Sequence, residues 1–353
     1  MTFRVVQWGT GNVGGMALKA IIERPDLELI GVIVHNADKV GVDAGELCGL
    51  GTIGIAATDD PTEALSLSPD VVCYTAAGDR RPYDAVSDIC LALQAGANVV
   101  STSVVSLLHR ASAEPAVLAQ IEAACQAGGS SCFTSGNDPG FSTEVIPLTL
   151  TGALERLDFI RVQEISSYAT YDQPELLFEM MGFGKLPDFV PPFLAPGVLT
   201  RLGGGTVHSI AEGLGVEVDE IVEVVERWNT DVELALPKGR TIPAGTTAAL
   251  KFELQGVVSG RPLIAVGHVN RMHDDAAPDW PQSSGKAYTV TVEGSPNIRA
   301  RIEMVGEDGD HNSAGLVITA MRVLHAIPAV CSAPPGLLGA NDVGLITGRG
   351  VVR

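Results

Sequence analysis

The feature that most constrains this chain is a glycine-rich turn close to its first residue. Residues 9–14 read Gly-Thr-Gly-Asn-Val-Gly, directly after an apolar run and directly before a helical pattern. Gly9 permits the tight turn, Gly11 lets the backbone approach a pyrophosphate, and Gly14 allows close packing of the helix on the strand. This spacing is common by itself, but the strand before it and the helix after it make it specific.

The turn therefore predicts a dinucleotide site, with an ordinary glycine-rich turn as the alternative. At the start of the helix, backbone amides would face the phosphates at the positive end of the helix dipole. The predicted cofactor contacts in this segment are Gly9, Thr10, Gly11, Asn12, Val13 and Gly14.

Apolar runs alternate with helical patterns through the first 136 residues. Predicted strands at residues 3–8, 27–34, 70–74, 98–101 and 131–134 are separated by predicted helices. This alternation indicates parallel strands, because each return to a parallel strand needs a crossover that is usually helical. We therefore expect an α/β fold whose N-terminal part is a doubly wound Rossmann domain.

After Gly136 the pattern changes to longer strands with fewer helices. Strand candidates lie at residues 159–167, 220–226, 246–257, 261–272 and 286–292. They favour a second α+β domain with a mainly antiparallel sheet. The expected domains are a dinucleotide-binding domain at 1–136, a substrate and dimerisation domain at 137–310, and a C-terminal helix and tail at 311–353 that pack back on the first domain.

Charge and composition narrow the range of partners. The net charge of −19 at pH 7 repels phosphate backbones, so we expect no nucleic-acid partner. The sequence shows no export signal and no apolar run near the ~20 residues that span a bilayer, so we expect a cytoplasmic protein without a membrane partner. Six cysteines form no C-x-x-C pair, which favours reduced thiols and no metal site.

The end of the second predicted strand bears on the choice between NAD and NADP. NAD enzymes usually place an Asp or Glu there for the ribose hydroxyls, ~20 residues after the glycines. Here His35 and Asn36 end the strand, and a carboxylate first follows at Asp38. His35, Asn36 and Lys39 are candidates to bind a 2′-phosphate, so NADP is the expected cofactor. The alternatives are that Asp38 turns to the ribose of NAD and that Lys39 is an ordinary surface charge.

Small residues follow the third and fourth predicted strands, where ligands of open α/β sheets bind. Thr75 and Ala76 follow the third strand, and Ser101, Thr102 and Ser103 follow or close the fourth. These side chains leave room for a ribose and a nicotinamide, so we predict them as cofactor contacts. Ordinary turn residues are the alternative.

Four stretches make the chain resemble the dihydrodipicolinate reductase-like oxidoreductases, and within them the NAD(P)H-dependent amine dehydrogenases that include 2,4-diaminopentanoate dehydrogenase. The stretches are residues 7–14, 96–102 and 136–141, and the C-terminal 326–330 with 335–337 and Asp342. The resemblance implies a homodimer that reduces the imine formed from a ketone or aldehyde and ammonia, or deaminates an amine in reverse. It also implies a small-molecule substrate between the domains, next to the nicotinamide.

The chain departs from the family at two positions that the resemblance places beside the nicotinamide. The amine dehydrogenases usually carry a glutamate that binds ammonia just after the Ser-Thr matched by residues 101–102, and here residues 103–105 are Ser-Val-Val. The family's Asn-Pro-Gly-Phe is Asp-Pro-Gly-Phe at residues 138–141. We therefore hypothesise that Asp138 takes over part of the missing acid–base role. The alternative is that Asp138 only caps the turn before proline.

Two further groups of residues are candidates for substrate contacts. Tyr168 and Tyr171 follow a strand where the family places such contacts, and they are predicted to act in proton transfer unless they are core or rim aromatics. A Met- and Phe-rich segment at 178–184 suits an apolar pocket or, alternatively, an internal helix face. The predicted pocket residues are Val104, Phe141, Phe178 and Met181. Five histidines are not singled out: His208, His268, His273, His311 and His325.

The leading prediction is an NAD(P)H-dependent amine dehydrogenase for a small apolar ketone or aldehyde. One alternative is a carbonyl reductase or alcohol dehydrogenase that makes no use of ammonia. The other alternative belongs to a different functional class and is a non-catalytic sensor that binds a dinucleotide. A proton donor beside the nicotinamide separates an enzyme from a sensor, and Asp138 and Tyr171 are the candidates for it.

Overall fold

The chain divides into two units in a computed structural model that describes residues 2–78, 81–171, 173–282 and 287–352. The first unit consists of Met1–Phe141 and Leu316–Arg353, and the second of Ser142–Gly315. Strands and helices are numbered along the chain.

The first unit is built on a seven-stranded sheet whose pairings are all parallel among the residues described. Its strands are β1 (Phe3–Trp8), β2 (Leu27–Ile33), β3 (Ala57–Thr58), β4 (Val71–Tyr74), β5 (Asn98–Ser101), β6 (Ser131–Thr134) and β15 (Gly336–Leu338), in the order β15-β6-β5-β4-β1-β2-β3. The predicted parallel, doubly wound sheet is confirmed. The sequence pattern missed both edge strands, β3 and β15, because two or three residues are too few to show a period.

Helices cover the sheet of the first unit. They are α1 (Asn12–Glu23), α2 (Ala44–Leu47), α3 (Pro61–Ser66), α4 (Pro82–Gln94) and α5 (Pro115–Gly128), and α8 (His311–Val330) contributes from Leu316 onward. Two apolar cores result. In β4, Val71 and Cys73 pack into one core, and Val72 and Tyr74 into the other. Side chains of a strand alternate between faces, so a strand buried on both faces is apolar throughout, as this one is.

Helix α8 is long and apolar enough to cross a membrane by length and composition alone, which is weak evidence for a span. Its residues Ala320, Val323, Leu324 and Ile327 are fully buried among the apolar side chains of the first unit. A helix packed into a core needs apolar residues over much of its surface, which accounts for this composition.

The second unit contains a six-stranded sheet in the order β14-β13-β7-β12-β11-β8. Its elements are α6 (Ile146–Thr151), β7 (Arg156–Ser167), α7 (Val198–Leu214), β8 (Glu220–Asn229), β11 (Thr247–Val258), β12 (Arg261–Arg271), β13 (Ala287–Ser295) and β14 (Ile298–Glu303), with a separate pair of β9 (Leu234–Ala235) and β10 (Thr241–Ile242). Only β7 and β12 pair in parallel among the described strands, so the predicted mainly antiparallel sheet is confirmed.

The core of the second unit lies between α7 and the sheet. Val207 and Ile210 of α7 are buried against Leu254 of β11 and Ile264 of β12. The predicted strand at 286–292 begins on Lys286, which lies outside the described residues. The pattern missed β14, an edge strand in which exposed and half-buried side chains alternate.

Candidate functional site

The glycine-rich turn lies between β1 and α1, and its geometry requires glycine at two positions. Gly9 has a φ of +95°, and a Cβ there would lie 2.7 Å from the amide nitrogen of Ala76. A Cβ on Gly14 would run into the carbonyl oxygen of Gly9 and the hydroxyl of Thr75. Backbone atoms cannot yield at such distances, so the turn and the close helix packing depend on these glycines.

Gly11 differs from these two glycines, because nothing lies within 4 Å of the place a Cβ would take. Gly11 immediately precedes α1, and no side chain caps the helix there. The first amides of a helix have no partner within the helix and carry the positive end of its dipole. Open space beside Gly11 and these donors fit the pyrophosphate of a dinucleotide.

Gln7 and Thr75 support the turn from within the sheet. The buried amide of Gln7 donates to the carbonyl oxygen of Gly9 at 2.8 Å and to the hydroxyl oxygen of Thr75 at 2.7 Å. The Thr75 hydroxyl donates to the same Gly9 carbonyl at 3.0 Å. Thr75 therefore holds the turn in place, and a cofactor contact for it stays a prediction. Sequence reasoning missed Gln7, whose signal is a polar residue inside an apolar strand.

The segment after β2 holds the residues predicted to bind a 2′-phosphate. The ammonium of Lys39 donates to the carbonyl oxygen of Thr10 at 2.8 Å and to its hydroxyl oxygen at 3.1 Å. A positive charge therefore lies against the glycine-rich turn. The side-chain oxygen of Asn36 accepts from the amide of Asp38, so Asn36 caps the short turn that carries Lys39.

His35 lies in a small aromatic and acidic group. Its Nε2 is 3.5 Å from a carboxylate oxygen of Asp88, and its ring stacks on Trp8 with centroids 6.4 Å apart. The hydroxyl of Tyr74 donates to the same oxygen of Asp88 at 2.9 Å. Burial raises the pKa of Tyr74, and the Asp88 carboxylate raises it further, so this hydroxyl stays protonated as a donor.

The turns after β4 and β5 are hydrogen-bonded to each other. The amide of Ser103 donates to the hydroxyl oxygen of Ser101 at 2.9 Å, and the Ser103 hydroxyl donates to the carbonyl oxygen of Ala76. The amide of Thr102 donates to the carbonyl oxygen of Tyr74 at 3.2 Å. Ser101 and Ser103 are buried, whereas Thr102 and Ala76 are half-buried. Ser101 and Ser103 thus stabilise the turns. The cofactor contacts predicted for all four residues stay predictions.

Val104 lies in the stretch just after Thr102 where the resemblance expects a glutamate. Its backbone is left-handed, with φ of +54° and ψ of +63°, and its side chain is half-buried. This conformation is unusual for a β-branched residue and costs of the order of 1–3 kcal/mol. Such strain clusters at binding and catalytic sites, which supports a functional position for this turn.

Asp138 lies in the turn that follows β6. The amide of Phe141 donates to the carbonyl oxygen of Gly136 at 2.8 Å, and the amide of Asn137 donates to the hydroxyl oxygen of Thr319 at 3.1 Å. Asp138 and Phe141 are half-buried. The backbone on each side of Asp138 is therefore anchored, and its acid–base role stays a prediction.

The other predicted pocket residues lie in the second unit. Phe178 is half-buried, and the guanidinium of Arg240 lies 6.0 Å from the centre of its ring. Met181 is buried among the apolar side chains of the unit's core. Met181 thus lies where the internal-face alternative expects it, and the pocket role of both residues stays a prediction.

The second unit also holds a buried polar cluster that sequence reasoning missed. Its centre is the carboxylate of Glu164 on β7. One oxygen, Oε2, lies 3.0 Å from the hydroxyl of Tyr168, 3.1 Å from the side-chain nitrogen of Asn270 and 3.3 Å from Nδ1 of His268. The other, Oε1, lies 3.1 Å from the hydroxyl of Tyr288 and 3.3 Å from Nε2 of His311. We call these six residues the Glu164 cluster.

Glu164 is ionised at neutral pH. Burial by itself raises its pKa, but the hydrogen bonds from His268 and His311 lower it by more, so the pKa lies well below its usual value. A carboxylate offers about four lone-pair sites, and five groups surround this one. The carboxylate's acceptor sites are therefore filled by its own neighbours, and it orients them.

Ring nitrogens of both histidines face oxygen atoms that only accept hydrogen bonds. In His311, Nδ1 lies 3.2 Å from the carbonyl oxygen of Met304 and Nε2 lies 3.3 Å from Glu164. Both neighbours only accept, so each ring nitrogen of His311 is placed to donate a hydrogen bond. His268 turns its Nδ1 to the carboxylate of Glu164, which only accepts.

Tyr168 and Tyr171 lie side by side on the second unit. The centres of their rings are 5.4 Å apart, and both are half-buried against the unit's core. Because the hydroxyl of Tyr168 donates to Glu164, Tyr168 belongs to the Glu164 cluster. The predicted donor role of Tyr171 stays a prediction.

Strand register explains why the Glu164 cluster cannot be predicted from the sequence. Glu164 lies beside His268 of β12 on one side and beside Tyr288 of β13 on the other. Asn270 follows His268 by two residues and so shares its face of β12. The local signal is a pair of polar residues two apart in an apolar strand, and its partners come from distant parts of the chain.

The comparison with known proteins bears on both halves of the chain. Residues 3–102 match the N-terminal domain of dihydrodipicolinate reductase, and residues 141–349 match the C-terminal domain of 2,4-diaminopentanoate dehydrogenase. The chain is 43% identical over 345 residues to an amine dehydrogenase of Streptomyces virginiae, with 96% of each chain covered. The chain belongs to the amine dehydrogenase and 2,4-diaminopentanoate dehydrogenase family.

As a member of this family, the protein is an NAD(P)-dependent oxidoreductase, and the sensor alternative is set aside. The chain is 21% identical to 2,4-diaminopentanoate dehydrogenase of Acetoanaerobium sticklandii, covering 95% of this chain and 91% of that one. Its fold matches an amine dehydrogenase from Mycobacterium smegmatis with a TM-score of 0.79 at 20% identity, covering 99% and 98% of the two chains.

Proposed function

We propose that this protein is an amine dehydrogenase that reduces the imine of a small apolar ketone or aldehyde and ammonia, and that deaminates the amine in reverse. The observation that carries the proposal is 43% identity to an amine dehydrogenase over 96% of the chain. The glycine-rich turn and the space beside Gly11 support a dinucleotide at the start of α1. The bound dinucleotide supplies the hydride in this chemistry.

For the cofactor, the proposal is NADP. A carboxylate at the end of β2 would repel a 2′-phosphate, and none of residues 33–37 is acidic. The ammonium of Lys39, held against Thr10, brings a positive charge to this edge of the turn. A charge-assisted hydrogen bond contributes about 1.5–3 kcal/mol, so Lys39→Met should raise KM for NADPH roughly 10- to 100-fold. The KM for NADH is the internal control and should change much less, and equal changes would contradict the assignment.

A second candidate function is carbonyl reduction without ammonia. The observation that favours it is that Ser103, Val104 and Val105 follow Thr102, so no carboxylate stands where the resemblance expects the ammonia-binding glutamate. A reductase of this kind needs hydride transfer and one proton, and it has no need of an ammonium site.

For the ammonium, we propose Asp138 as the carboxylate that takes over part of the glutamate's role. Its support is the exchange of carboxylates in the sequence and the anchored backbone around it. Asp138→Asn keeps the size of the side chain but removes its charge, so turnover should be abolished while NADPH affinity is retained. Unchanged turnover would contradict this role.

The experiment that tests the function is NAD(P)H oxidation with a panel of small ketones and aldehydes, with and without a high concentration of ammonium. Turnover that requires ammonium, with amine as the product, supports an amine dehydrogenase. Turnover without ammonium, with alcohol as the product, supports the carbonyl reductase. If neither cofactor is oxidised with any substrate although it binds, both proposals fail for this substrate class.

A further inference from the structure

We propose that His35, held in place by Asp88, selects between NADPH and NADH. The protonated ring binds the adenosine 2′-phosphate of NADPH, whereas the neutral ring accepts a hydrogen bond from the 2′-hydroxyl of NADH. This inference rests on the proposed NADP cofactor and adds the group that makes the preference depend on pH. An imidazole gains or loses a proton between pH 5 and pH 8 and thereby changes from a donor to an acceptor.

His35 lies at the ligand-binding edge of the first sheet. It follows the end of β2 by two residues, and the carbonyl oxygen of Ile33 at that end accepts a hydrogen bond from the amide of Gly9. The end of β2 therefore lies directly beside the glycine-rich turn. In dinucleotide-binding domains of this topology, the ribose of the adenosine meets the residue at the end of the second strand. The segment after His35 also reaches the turn, because the ammonium of Lys39 donates to Thr10.

Three side chains hold the ring of His35 in a closed cycle of contacts. The ring stacks on Trp8 at an interplanar angle of 25°, and Nε2 lies 3.5 Å from Oδ2 of Asp88. Tyr74 completes the cycle, because its ring packs edge-on against Trp8 and its hydroxyl donates to Asp88 at 2.9 Å. Each member thus contacts two others, so the orientation of His35 depends on side chains within the sheet and on α4.

The cycle leaves His35 as its most exposed member. Trp8 and Tyr74 are each 1% exposed and the side chain of Asp88 is 19% exposed, whereas that of His35 is 36% exposed. Within the part of the chain that the structure describes, His35 pairs only with Asp88 and stacks only on Trp8. The other ring nitrogen, Nδ1, is therefore available to a ligand.

The charge next to the His35 ring is that of Asp88. A carboxylate only accepts, so it favours a proton on Nε2 and stabilises the imidazolium when Nδ1 gains a second proton. Burial and then the Asp88 carboxylate raise the pKa of Tyr74, so its hydroxyl adds no charge. Arg81 and Asp84 also lie near Tyr74, but they pair with each other at 2.9 Å in an exposed salt bridge. Asp88 thus acts as a positioning residue that supports the charged form of His35.

The two protonation states suit the two cofactors. The imidazolium offers a positive charge and a donor to a 2′-phosphate, in addition to the ammonium of Lys39. The neutral ring offers Nδ1 as an acceptor to a 2′-hydroxyl and has no donor there for a phosphate. Binding of a 2′-phosphate therefore takes up a proton wherever the free ring is neutral, and its affinity falls as the pH rises. Asp38 on the same segment is exposed, so salt screens its charge.

The test is calorimetric titration of the full-length protein with 2′,5′-ADP and with 5′-AMP, which differ only in the 2′-phosphate. In wild type, the affinity for 2′,5′-ADP relative to 5′-AMP should fall at least tenfold between pH 6 and pH 8.5. Titration of the phosphate itself acts in the opposite direction, because its dianion forms as the pH rises above about 6. A relative affinity that stays constant or rises over this range would overturn the proposal.

Variants of the pair assign this fall to His35 and Asp88. His35→Gln has no proton to gain, so its relative affinity should be at least tenfold below wild type at pH 6 and should not fall further. Asp88→Asn keeps an acceptor for Tyr74 but removes the charge, so the midpoint of the fall should move to lower pH by roughly one unit or more. A fall that persists in His35→Gln, or a midpoint that Asp88→Asn leaves in place, would overturn the proposal.

Asp84→Asn is the matched control for the charge on α4. It removes a carboxylate that pairs with Arg81 instead of His35, so both affinities and the midpoint should stay as in wild type. A shift as large as that of Asp88→Asn would show that the net charge of the helix, not the contact with His35, accounts for the effect, and would overturn the proposal.

The proton itself can be counted in the wild-type protein. Titration at pH 8 in buffers of different ionisation enthalpy should show that 2′,5′-ADP takes up more protons than 5′-AMP, by up to one proton. Equal counts would overturn the proposal. None of these measurements involves an amine or a ketone, so the expected results in a protein that turns over no imine would place the failure in the proposed reaction. An ammonium-dependent enzyme whose relative affinity ignores pH would overturn this inference alone.

Discussion

In the glycine-rich turn, Gly14 is required by backbone packing, whereas Gly11 leaves space for the ligand. Gly14 lies against the backbone of Gly9, whereas Gly11 and Gly15 have nothing within 4 Å of a Cβ position. Gly15 lies within α1, and Gly11 lies at its start. These positions therefore predict different consequences for the same change to alanine.

Gly14→Ala should lower the free energy of unfolding by about 1–3 kcal/mol, because its Cβ overlaps backbone atoms that cannot move apart. Gly15→Ala is the matched control and should be neutral or stabilising by up to about 1 kcal/mol, as alanine favours the helix. Gly11→Ala should leave stability nearly unchanged but weaken NADPH binding at least tenfold. Urea unfolding and a fluorescence titration measure the two quantities, and unchanged NADPH affinity for Gly11→Ala would contradict the pyrophosphate site.

A pH dependence follows from the lowered pKa of Glu164. The ionised carboxylate is stabilised in the folded protein by His268 and His311, so its contribution is complete above the unfolded pKa near 4.3. That contribution is lost as the pH falls through the lower folded pKa. Glu164→Gln should therefore be clearly less stable than wild type at pH 7, and the gap should narrow below about pH 4.

The measurement is urea unfolding of both proteins between pH 3 and pH 7. Glu253→Gln is a control in the same sheet, because it also removes a carboxylate but one that pairs with the exposed Arg161. A gap between wild type and Glu164→Gln that stays constant across this range would show that packing, not charge, accounts for the loss.

Among the secondary-structure elements, β15 is a short strand that we expect to contribute strongly to the stability of the first unit. It pairs in parallel with β6 at the edge of the first sheet, and Ser131 of β6 donates to the carbonyl oxygen of Pro334 just before it. Leu337 in its centre is 2% exposed, whereas Leu345 beyond it is 83% exposed. The strand lies in a Pro- and Gly-rich stretch, so its apolar residues look like part of a loop in the sequence.

Leu337→Ala should lower the free energy of unfolding by about 2–5 kcal/mol, because it removes buried methyl groups and leaves a cavity. Leu345→Ala should change it by less than about 0.5 kcal/mol, since that side chain is already in water. Urea unfolding compares the two, and similar values would show that β15 contributes little to the fold.

On the scale of the whole molecule, the net negative charge of each copy opposes the formation of a homodimer. The resemblance to the family implies a homodimer, and each copy carries a net charge of −19. The edge strand β8 exposes Val222 and Val224, which a second copy could cover. Like charges repel over a distance that salt shortens to about 10 Å at 0.1 M.

We therefore expect a mass of twice 36.7 kDa in sedimentation equilibrium and a dimer that tightens as the salt concentration rises. Repulsion between two acidic copies weakens with screening, whereas burial of apolar surface does not. A single species of 36.7 kDa at all salt concentrations would contradict the dimer.

The sequence alone determined the fold class and the dinucleotide turn, because both depend on local patterns. Apolar strands alternating with helices, and glycines at fixed spacing after a strand, are local features of the chain, and the structure confirms the sheet they predict. The shape of the turn likewise follows from steric limits on Gly9 and Gly14.

The Glu164 cluster and the position of β15 at the sheet edge depend on the tertiary structure and could not be predicted from the sequence. Glu164, His268, Tyr288 and His311 lie up to 147 residues apart, and each alone looks like an ordinary polar residue. Strand register brings them together, and register depends on the packing of the whole sheet. The same reason applies to Lys39, whose contact with Thr10 exists only after β2 has paired with β1.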